Sequence, residues 1–390
     1  MRIVDVCAFY APDGGGVKTY VERKLKAGAQ AGHEVIILAP GHDEAVIEQG
    51  PSGKLVTLPS PRFPLDRRYR YFSDERSLHA MLTRLAPDMV EASSPWSSAS
   101  MVARWPGAAP RALVMHADPL SAYAYRWFGS VASREAIDRG FDWFWRHLRR
   151  MDRGFDMIVS ASNSLSDRLR AGGLSRVETL PMGVEPGLFG PDRRDEGLRA
   201  RLLARCGLGP DATLLLAMGR LAPEKRWPLV IKAVTAAGYG RPVGLLLIGN
   251  GRDRAKVMRA VDHNPHIHLL APTRDRERLA TILASTDALV HGCEAETFCM
   301  AAAEARASGL PVIAPDQGGA ADHVAPGCGL HYVSGSSASL ADAIGTVLDD
   351  PAGFRRRALA GAPDVMTMDD HFARLFSLYE ARIDRRRHAA

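Results

Sequence analysis

"RIVDVCAF" (residues 2–9), a glycine turn, "VKTYVERKLKAGAQAG" (17–32) and "HEVIILAP" (33–40) decide the fold. A short apolar run, a helix-like stretch and a second apolar run make a βαβ unit, which implies parallel strands. "MVEAS" (89–93), "ALVMHA" (112–117) and "MIVSAS" (157–162) read as further strands of the same series. After "GVEPGLFGPDRR" (183–194), rich in Gly and Pro, the pattern restarts. "TLLLAMGR" (213–220), "VGLLLIGN" (243–250), "HIHLLAP" (266–272), "DALVHG" (287–292) and "LPVIAP" (310–315) are strand-like, each followed by a helical stretch. Two βα series joined near 183–195 predict an α/β protein of two doubly wound domains facing across a cleft. In such sheets ligands bind beyond the carboxyl ends of strands, and clefts between domains are favoured sites.

Length agrees, since 390 residues exceed what one ordinary core serves. The net charge of +6 fits anionic ligands or a membrane surface and is too weak to argue for nucleic acid. Five cysteines, an odd number without a CxxC pair, point to a reduced cytosolic chain. No metal-ligand cluster of recognisable spacing is visible. The apolar opening is too short for a signal peptide, and no run reaches the roughly 18 apolar residues of a membrane span.

"PDGGGVKTY" (12–20) lies between first strand and first helix. Gly14, Gly15 and Gly16 let backbone approach a ligand at a helix N-terminus, where an anion is favoured. A plain tight turn is the other reading. The loop fits neither G-x-x-x-x-G-K-[ST] nor G-x-G-x-x-G, because Thr19 stands where the third glycine belongs. In "MGRLAPEKRWPLV" (218–230), Arg220 ends a strand and Lys225 precedes the next helix. Such a pair suits a diphosphate; two solvated cations are the alternative.

"DALVHGCEAETFCMAAAEARASGLPVIAPDQGG" (287–319) is more informative. The strand is expected to end near His291, with Glu296 in a loop and Thr297 as N-cap. A helix from about Phe298 to Ser308 then closes at Gly309 and Pro311. Glu296 and Glu304 are therefore not acids on one helical face. The amides of Phe298, Cys299 and Met300 carry the positive end of the helix dipole. Ala301, Ala302, Ala303 and Ala305 allow close packing on the sheet. An ordinary amphipathic helix with Glu304 exposed is the bland reading.

These residues resemble the E-x7-E motif of the family-4 glycosyltransferases, retaining enzymes of the GT-B fold. The resemblance runs in order along the chain: the glycine loop and its βα unit, "VMHAD" (114–118), "IVSASNSLSDRL" (158–169), "LPMGVEPGLF" (180–189), "GRLAPEKR" (219–226), "LIGNGRDR" (247–254) and "ASGLPVIAPDQGG" (307–319). It implies two Rossmann-like domains, an acceptor-binding one over 1–187 and a nucleotide-sugar-binding one over 188–368. A C-terminal helix at about 369–390 would pack back on the first. The resemblance implies that Glu296 holds hydroxyls of the donor sugar and Glu304 the ribose. Arg220 and Lys225 neutralise the diphosphate, amides from Phe298 through Cys299 to Met300 help bind it, and Gly15 and Gly16 close over it. His116 lines the reaction centre with Asp118 nearby; a satisfied histidine at a strand end is the alternative. No D-x-D triplet occurs, and fixed cations with helix amides would serve in place of a metal. No cofactor is expected.

Two departures from the family pattern stand out. Cys299 replaces the Gly that usually follows the Phe, and His291-Gly292 replaces a Pro-Ser at the strand end. "YRWFGSVASREAIDRGFDWFWRHLRR" (125–150) sets Trp143 and Trp145 among arginines, and "RFPLDRRYRYF" (62–72) is similar. Such stretches suit an anionic membrane surface, a sugar-stacking acceptor side or an aromatic core with a solvated face. The expected protein is a cytoplasmic glycosyltransferase, peripheral at the inner face of the plasma membrane, moving a hexose from a nucleotide sugar to a glycolipid, lipid or polysaccharide precursor. A GT-B nucleotide-sugar epimerase and a non-catalytic sugar-nucleotide-binding homologue are the alternatives.

Overall fold

The computed structural model describes residues 1–389 except 11–15, 65–68, 117, 119, 125–127 and 129–132. The chain divides into two compact units. The first comprises Met1–Asp118, Phe128–Pro181 and Met368–Ala390; the second comprises Pro119–Trp127 and Met182–Thr367.

Among the described residues the first unit is built on eight strands: β1 (Arg2–Val6), β2 (Glu34–Gly41), β3 (Ala45–Glu48), β4 (Gly53–Pro59), β5 (Met89–Ala92), β6 (Arg111–Met115), β7 (Met157–Ser160) and β8 (Val177–Thr179). Their order is β3-β4-β2-β1-β5-β6-β7-β8, parallel except for the β3–β4 pair. Central strands such as Val35–Ala39 are buried on both faces, as helix-covered parallel sheets require. The sequence reading missed β3, β4 and β8. All four residues of β3 are exposed at the sheet edge, so no burial pattern marks it.

The interior of this unit holds a charged cluster. Asp5 on β1 and Glu91 on β5 are directly opposite in register, and both are fully buried. Lys24, from the helix Gly16–Gln30, reaches between them; its Nζ donates to Asp5 Oδ2 at 2.9 Å and to Glu91. Ser93 Oγ donates to Asp5 at 2.7 Å, and Tyr379 OH to Glu91. Burial disfavours the Lys24 ammonium, but the two carboxylates outweigh it and hold its pKa above the ordinary value. Tyr379 belongs to the last helix, Met368–Ala389, which buries Phe372, Leu375, Phe376 and Ile383 in the same unit.

The second sheet comprises β9 (Thr213–Met218), β10 (Val243–Ile248), β11 (Ile267–Leu270), β12 (Ala288–Val290), β13 (Val312–Pro315) and β14 (Gly329–Tyr332), in the order β11-β10-β9-β12-β13-β14. Every pair is parallel. Helix Trp227–Ala237 seals one face with Trp227, Val230, Ile231 and Val234, spaced i, i+3, i+4, i+7. Strand order reverses between β9 and β12, the switch point at which open α/β sheets bind ligands. Among the described residues no helix is long and apolar enough to cross a membrane.

Candidate active site

The sequence-predicted cations follow β9, and the acidic loop follows β12, so the switch point places them side by side. After Gly219 the chain passes Arg220 and makes a short 3-10 turn, Pro223–Lys225. The indole Nε1 of Trp227 donates to Arg220 O at 2.8 Å and fixes this turn to the core. Arg220 points outward, with its side chain 78% exposed and Glu224 Oε1 at 3.1 Å. Lys225 points inward, 14% exposed, and its ammonium pairs with Glu296.

The loop from His291 to Cys299 is held on several sides. Arg226 pairs with Glu294, and Tyr332 OH donates to His291 O at 3.1 Å. Gly319 N donates to Glu296 O at 2.7 Å. A Cβ on Gly319 would fall 2.5 Å from the Thr297 carbonyl, and one on Gly292 would fall 2.6 Å from Lys225 O. Glycine at these two places lets the segments close on one another. Buried His323, its pKa lowered by burial to about 4, is neutral and donates from Nε2 to Phe298 O at 2.7 Å.

The helix opens later than the sequence suggests. It spans Met300–Ala307, and its N-cap is Cys299, not Thr297, with no side-chain cap bond. Cys299 has φ 72°, ψ 74°, the left-handed region. For a residue with a side chain this costs about 1–2 kcal/mol, which is the physical reason a glycine suits the position. Ala302 and Ala303 amides both return to Cys299 O, at 3.0 and 3.2 Å. The amides of Met300 and Ala301 before them have no acceptor among the described residues and form the positive end of the helix. At the other end Ser308 is the C-cap and Gly309 (φ 71°) the left-handed residue after it. Leu310 N to Ala305 O and Gly309 N to Arg306 O, at 3.0 and 2.9 Å, complete a Schellman motif.

Glu296 sits at the centre of the loop. Its Oε1 meets Lys225 and lies 3.3 Å from His291 Nε2. Burial alone would raise its pKa, but the bond from His291 and the charge of Lys225 prevail and hold the carboxyl well below the usual range. Burial likewise opposes the charge on Lys225, and Glu296 more than compensates, keeping the ammonium above its ordinary value. Glu304, one turn into the helix, is buried and not exposed; Arg276 Nη2 donates to its Oε1 at 2.6 Å. Burial raises its pKa against the pull of Arg276, which stacks 5.1 Å over Phe189.

The remaining predicted residues belong to the first unit. His116 follows β6, half-buried, its ring 4.8 Å from that of Tyr20, and burial lowers its pKa to about 4. Asp118 is buried and paired with Arg168. In the helix Asp142–Gly154, Trp143 is 55% exposed and shares one face with exposed Arg146, Arg150 and Arg153. Trp145 faces the interior, its Nε1 donating to Asp138 at 3.2 Å and Arg168 packing 5.6 Å over its ring. Gly16 is the first residue of its helix, while Gly14 and Gly15 lie outside the described residues.

The structure thus brings Lys225, Glu296, Phe298, Cys299 and Met300 together, with Arg220 at the rim and Glu304 farther along the helix. Sequence reasoning missed His291 as a partner of Glu296, Arg276 as the partner of Glu304, and the Arg226–Glu294 tether. The substitution at His291-Gly292 was the signal for the first. Nothing in the spacing marks the other two.

Comparison with known proteins agrees along the chain. The family described as Glycosyltransferase Family 4 matches residues 14–188, and Glycosyl transferases group 1 matches 204–362. A GDP-mannose-dependent alpha-mannosyltransferase of Mycobacterium tuberculosis (strain CDC 1551 / Oshkosh) is 31% identical over 347 residues, covering 84% of this chain and 82% of its own. A GDP-mannose-dependent alpha-(1-6)-phosphatidylinositol dimannoside mannosyltransferase of Mycobacterium tuberculosis (strain ATCC 25177 / H37Ra) is 27% identical, covering 94% and 93%. Among solved structures, sucrose-phosphate synthase of Thermosynechococcus elongatus aligns with TM-score 0.73 at 20% identity, over 98% of this chain and 100% of its own. Anabaena HepE in complex with UDP aligns with TM-score 0.71 at 15% identity, over 98% and 100%.

Proposed function

The chain belongs to the family-4 glycosyltransferases, and from that premise we propose that it transfers mannose from GDP-mannose to a phosphatidylinositol-type glycolipid, with retention at the anomeric carbon. That it is a glycosyltransferase drawing on a nucleotide-sugar donor follows from the family; the sugar, the acceptor and the stereochemistry are the proposal. The observation that carries it is the convergence of Lys225, Glu296 and a free helix N-terminus at the switch point of the second sheet. The donor and acceptor classes are supported by the names of the two mycobacterial relatives.

In this reading Glu304 holds the ribose hydroxyls and Arg276 keeps its carboxylate oriented. The diphosphate lies against Lys225, Arg220 and the amides of Phe298, Cys299 and Met300. As the glycosyl–phosphate bond breaks, negative charge gathers on the diphosphate, and these fixed positive groups stabilise it without a metal cofactor. Glu296, kept ionised by Lys225 and His291, accepts hydrogen bonds from sugar hydroxyls as the ring gains positive character. The acceptor hydroxyl attacks from the face the diphosphate leaves, so the configuration is retained. His116 and Asp118 serve the acceptor side. The face of Trp143, Arg146, Arg150 and Arg153 rests on anionic lipid, with the enzyme peripheral at the cytoplasmic leaflet.

A panel of GDP-mannose, GDP-glucose and UDP-glucose, offered with anionic vesicles carrying a phosphatidylinositol mannoside, tests this. The expected result is nucleotide release from GDP-mannose that depends on the acceptor, with flotation of the enzyme on the vesicles that weakens at high salt. Equal release without acceptor would favour the epimerase or hydrolase class. Release from UDP-glucose alone would overturn the donor, and salt-independent absence of flotation would overturn the membrane surface.

A further inference from the structure

His291 and Cys299, one from each of the two departures from the family pattern, touch each other. The Sγ of Cys299 lies 3.6 Å from His291 Nε2, and Glu296 Oε1 lies 3.3 Å from the same nitrogen. All three ligand atoms are within 4.8 Å of one another. We propose that His291, Glu296 and Cys299 form a binding site for a thiophilic divalent cation of the zinc class, and that filling it shuts the donor sugar out.

The two distances from His291 Nε2 match that chemistry. With bonds of about 2.3 Å to sulfur and about 2.0–2.2 Å to nitrogen and oxygen, tetrahedral angles separate N from S by roughly 3.6 Å and N from O by roughly 3.4 Å. Imidazole, thiolate and carboxylate are all zinc ligands, and the soft thiolate disfavours magnesium and calcium. Thiolate and carboxylate together match the charge of a dication. As the sulfur–metal bond forms, the Sγ proton leaves to solvent. The backbone geometry points the same way, since Cys299 occupies a left-handed conformation that disfavours any side chain. The strained thiol is buried against a buried imidazole, while the Glu296 side chain remains 22% exposed. Three protein ligands with one open position describe an accessible, exchangeable site rather than a closed structural one.

Lys225 explains why the site competes with catalysis. Its ammonium holds the same Glu296 oxygen. A cation there takes that oxygen from Lys225 and, with the water at its open position, fills the space the sugar would occupy, so cation and donor exclude each other. This second half of the proposal rests on the donor-site reading given above; the cation site itself does not.

The test uses the full chain, stripped by chelator and titrated with Co²⁺ alone. One equivalent should bind with thiolate-to-cobalt charge-transfer absorption and be displaced by Zn²⁺. Cys299→Ala should abolish the charge-transfer band and weaken binding by at least about tenfold. Cys299→Gly, which relieves the left-handed strain, should do the same in a fold that is safe from collapse. His291→Ala should weaken cobalt binding while keeping part of the thiolate band. Absence of the band in the unsubstituted chain, or its persistence in both Cys299 variants, would overturn the site. In rate measurements with GDP-mannose, Zn²⁺ should raise the apparent KM and leave kcat unchanged. Zinc bound at one equivalent with unaltered KM would overturn the exclusion alone. A chain that turns over no donor yet shows the cobalt band would overturn the functional reading and leave the site standing.

Discussion

Glu296→Ala is expected to lower kcat by about 10²–10³-fold while leaving GDP affinity within a few-fold of the unsubstituted enzyme. The split follows from where the residue sits. Glu296 is a loop acid ahead of the helix, whereas the nucleotide contacts assigned above come from Glu304, Lys225 and the first-turn amides. Its carboxylate is kept ionised by His291 and Lys225, so it is ready to meet positive character that develops only as the glycosyl bond breaks. Removing it also frees Lys225, whose ammonium then turns wholly to the diphosphate, which preserves or tightens nucleotide binding. Steady-state kinetics paired with calorimetric titration of GDP reads both quantities. Near-normal turnover in this variant would remove Glu296 from the chemistry, and a parallel loss of GDP affinity would make it a nucleotide ligand.

Lys24→Ala should destabilise the first unit by about 3–5 kcal/mol, because it leaves two buried carboxylates facing each other without a cation. Asp5 and Glu91 are opposed on adjacent strands and have no exposed surface through which water could solvate them. The lysine pKa is raised above its unfolded value, so its contribution is complete at neutral pH and is lost only as pH climbs through the folded value. Urea unfolding followed by a probe in the first unit measures the effect. Adding Asp5→Asn and Glu91→Gln to Lys24→Ala should recover part of the loss, since no uncompensated charge then remains. A midpoint shift worth less than about 1 kcal/mol in the single variant would show that water or a shared proton already satisfies the pair.

The parallel strands at the centre of both sheets were legible because burial on two faces writes them as unbroken apolar runs. Val35–Ala39 and Leu214–Ala217 are examples. Exposed β3, and short edge strands such as β8 and β14, carry no such signal and emerge only from pairing. In the site, the acids and cations were legible as residues but not as pairs. Lys225 and Glu296 lie 71 positions apart, and Arg276 and Glu304 lie 28 apart, so their contact depends on strand order at the switch point. The helix start was misread for a local reason. Thr297 has the chemistry of an N-cap, and a cysteine gives no hint that its backbone will turn left-handed. The aromatic stretch divides by helical phase. Trp143 falls on the arginine face and Trp145 on the core face, a distinction that two residues of separation impose once the helix exists.

The central claim is that the second unit binds the donor through the loop acid, the helix end and the helical acid in sequence. A crystal structure of the enzyme with GDP tests it most directly. The account predicts ribose hydroxyls on Glu304 and the diphosphate against Lys225 and the amides from Phe298 to Met300, with Glu296 left facing the space for the sugar. Nucleotide density that touches neither Glu304 nor Lys225 would contradict it.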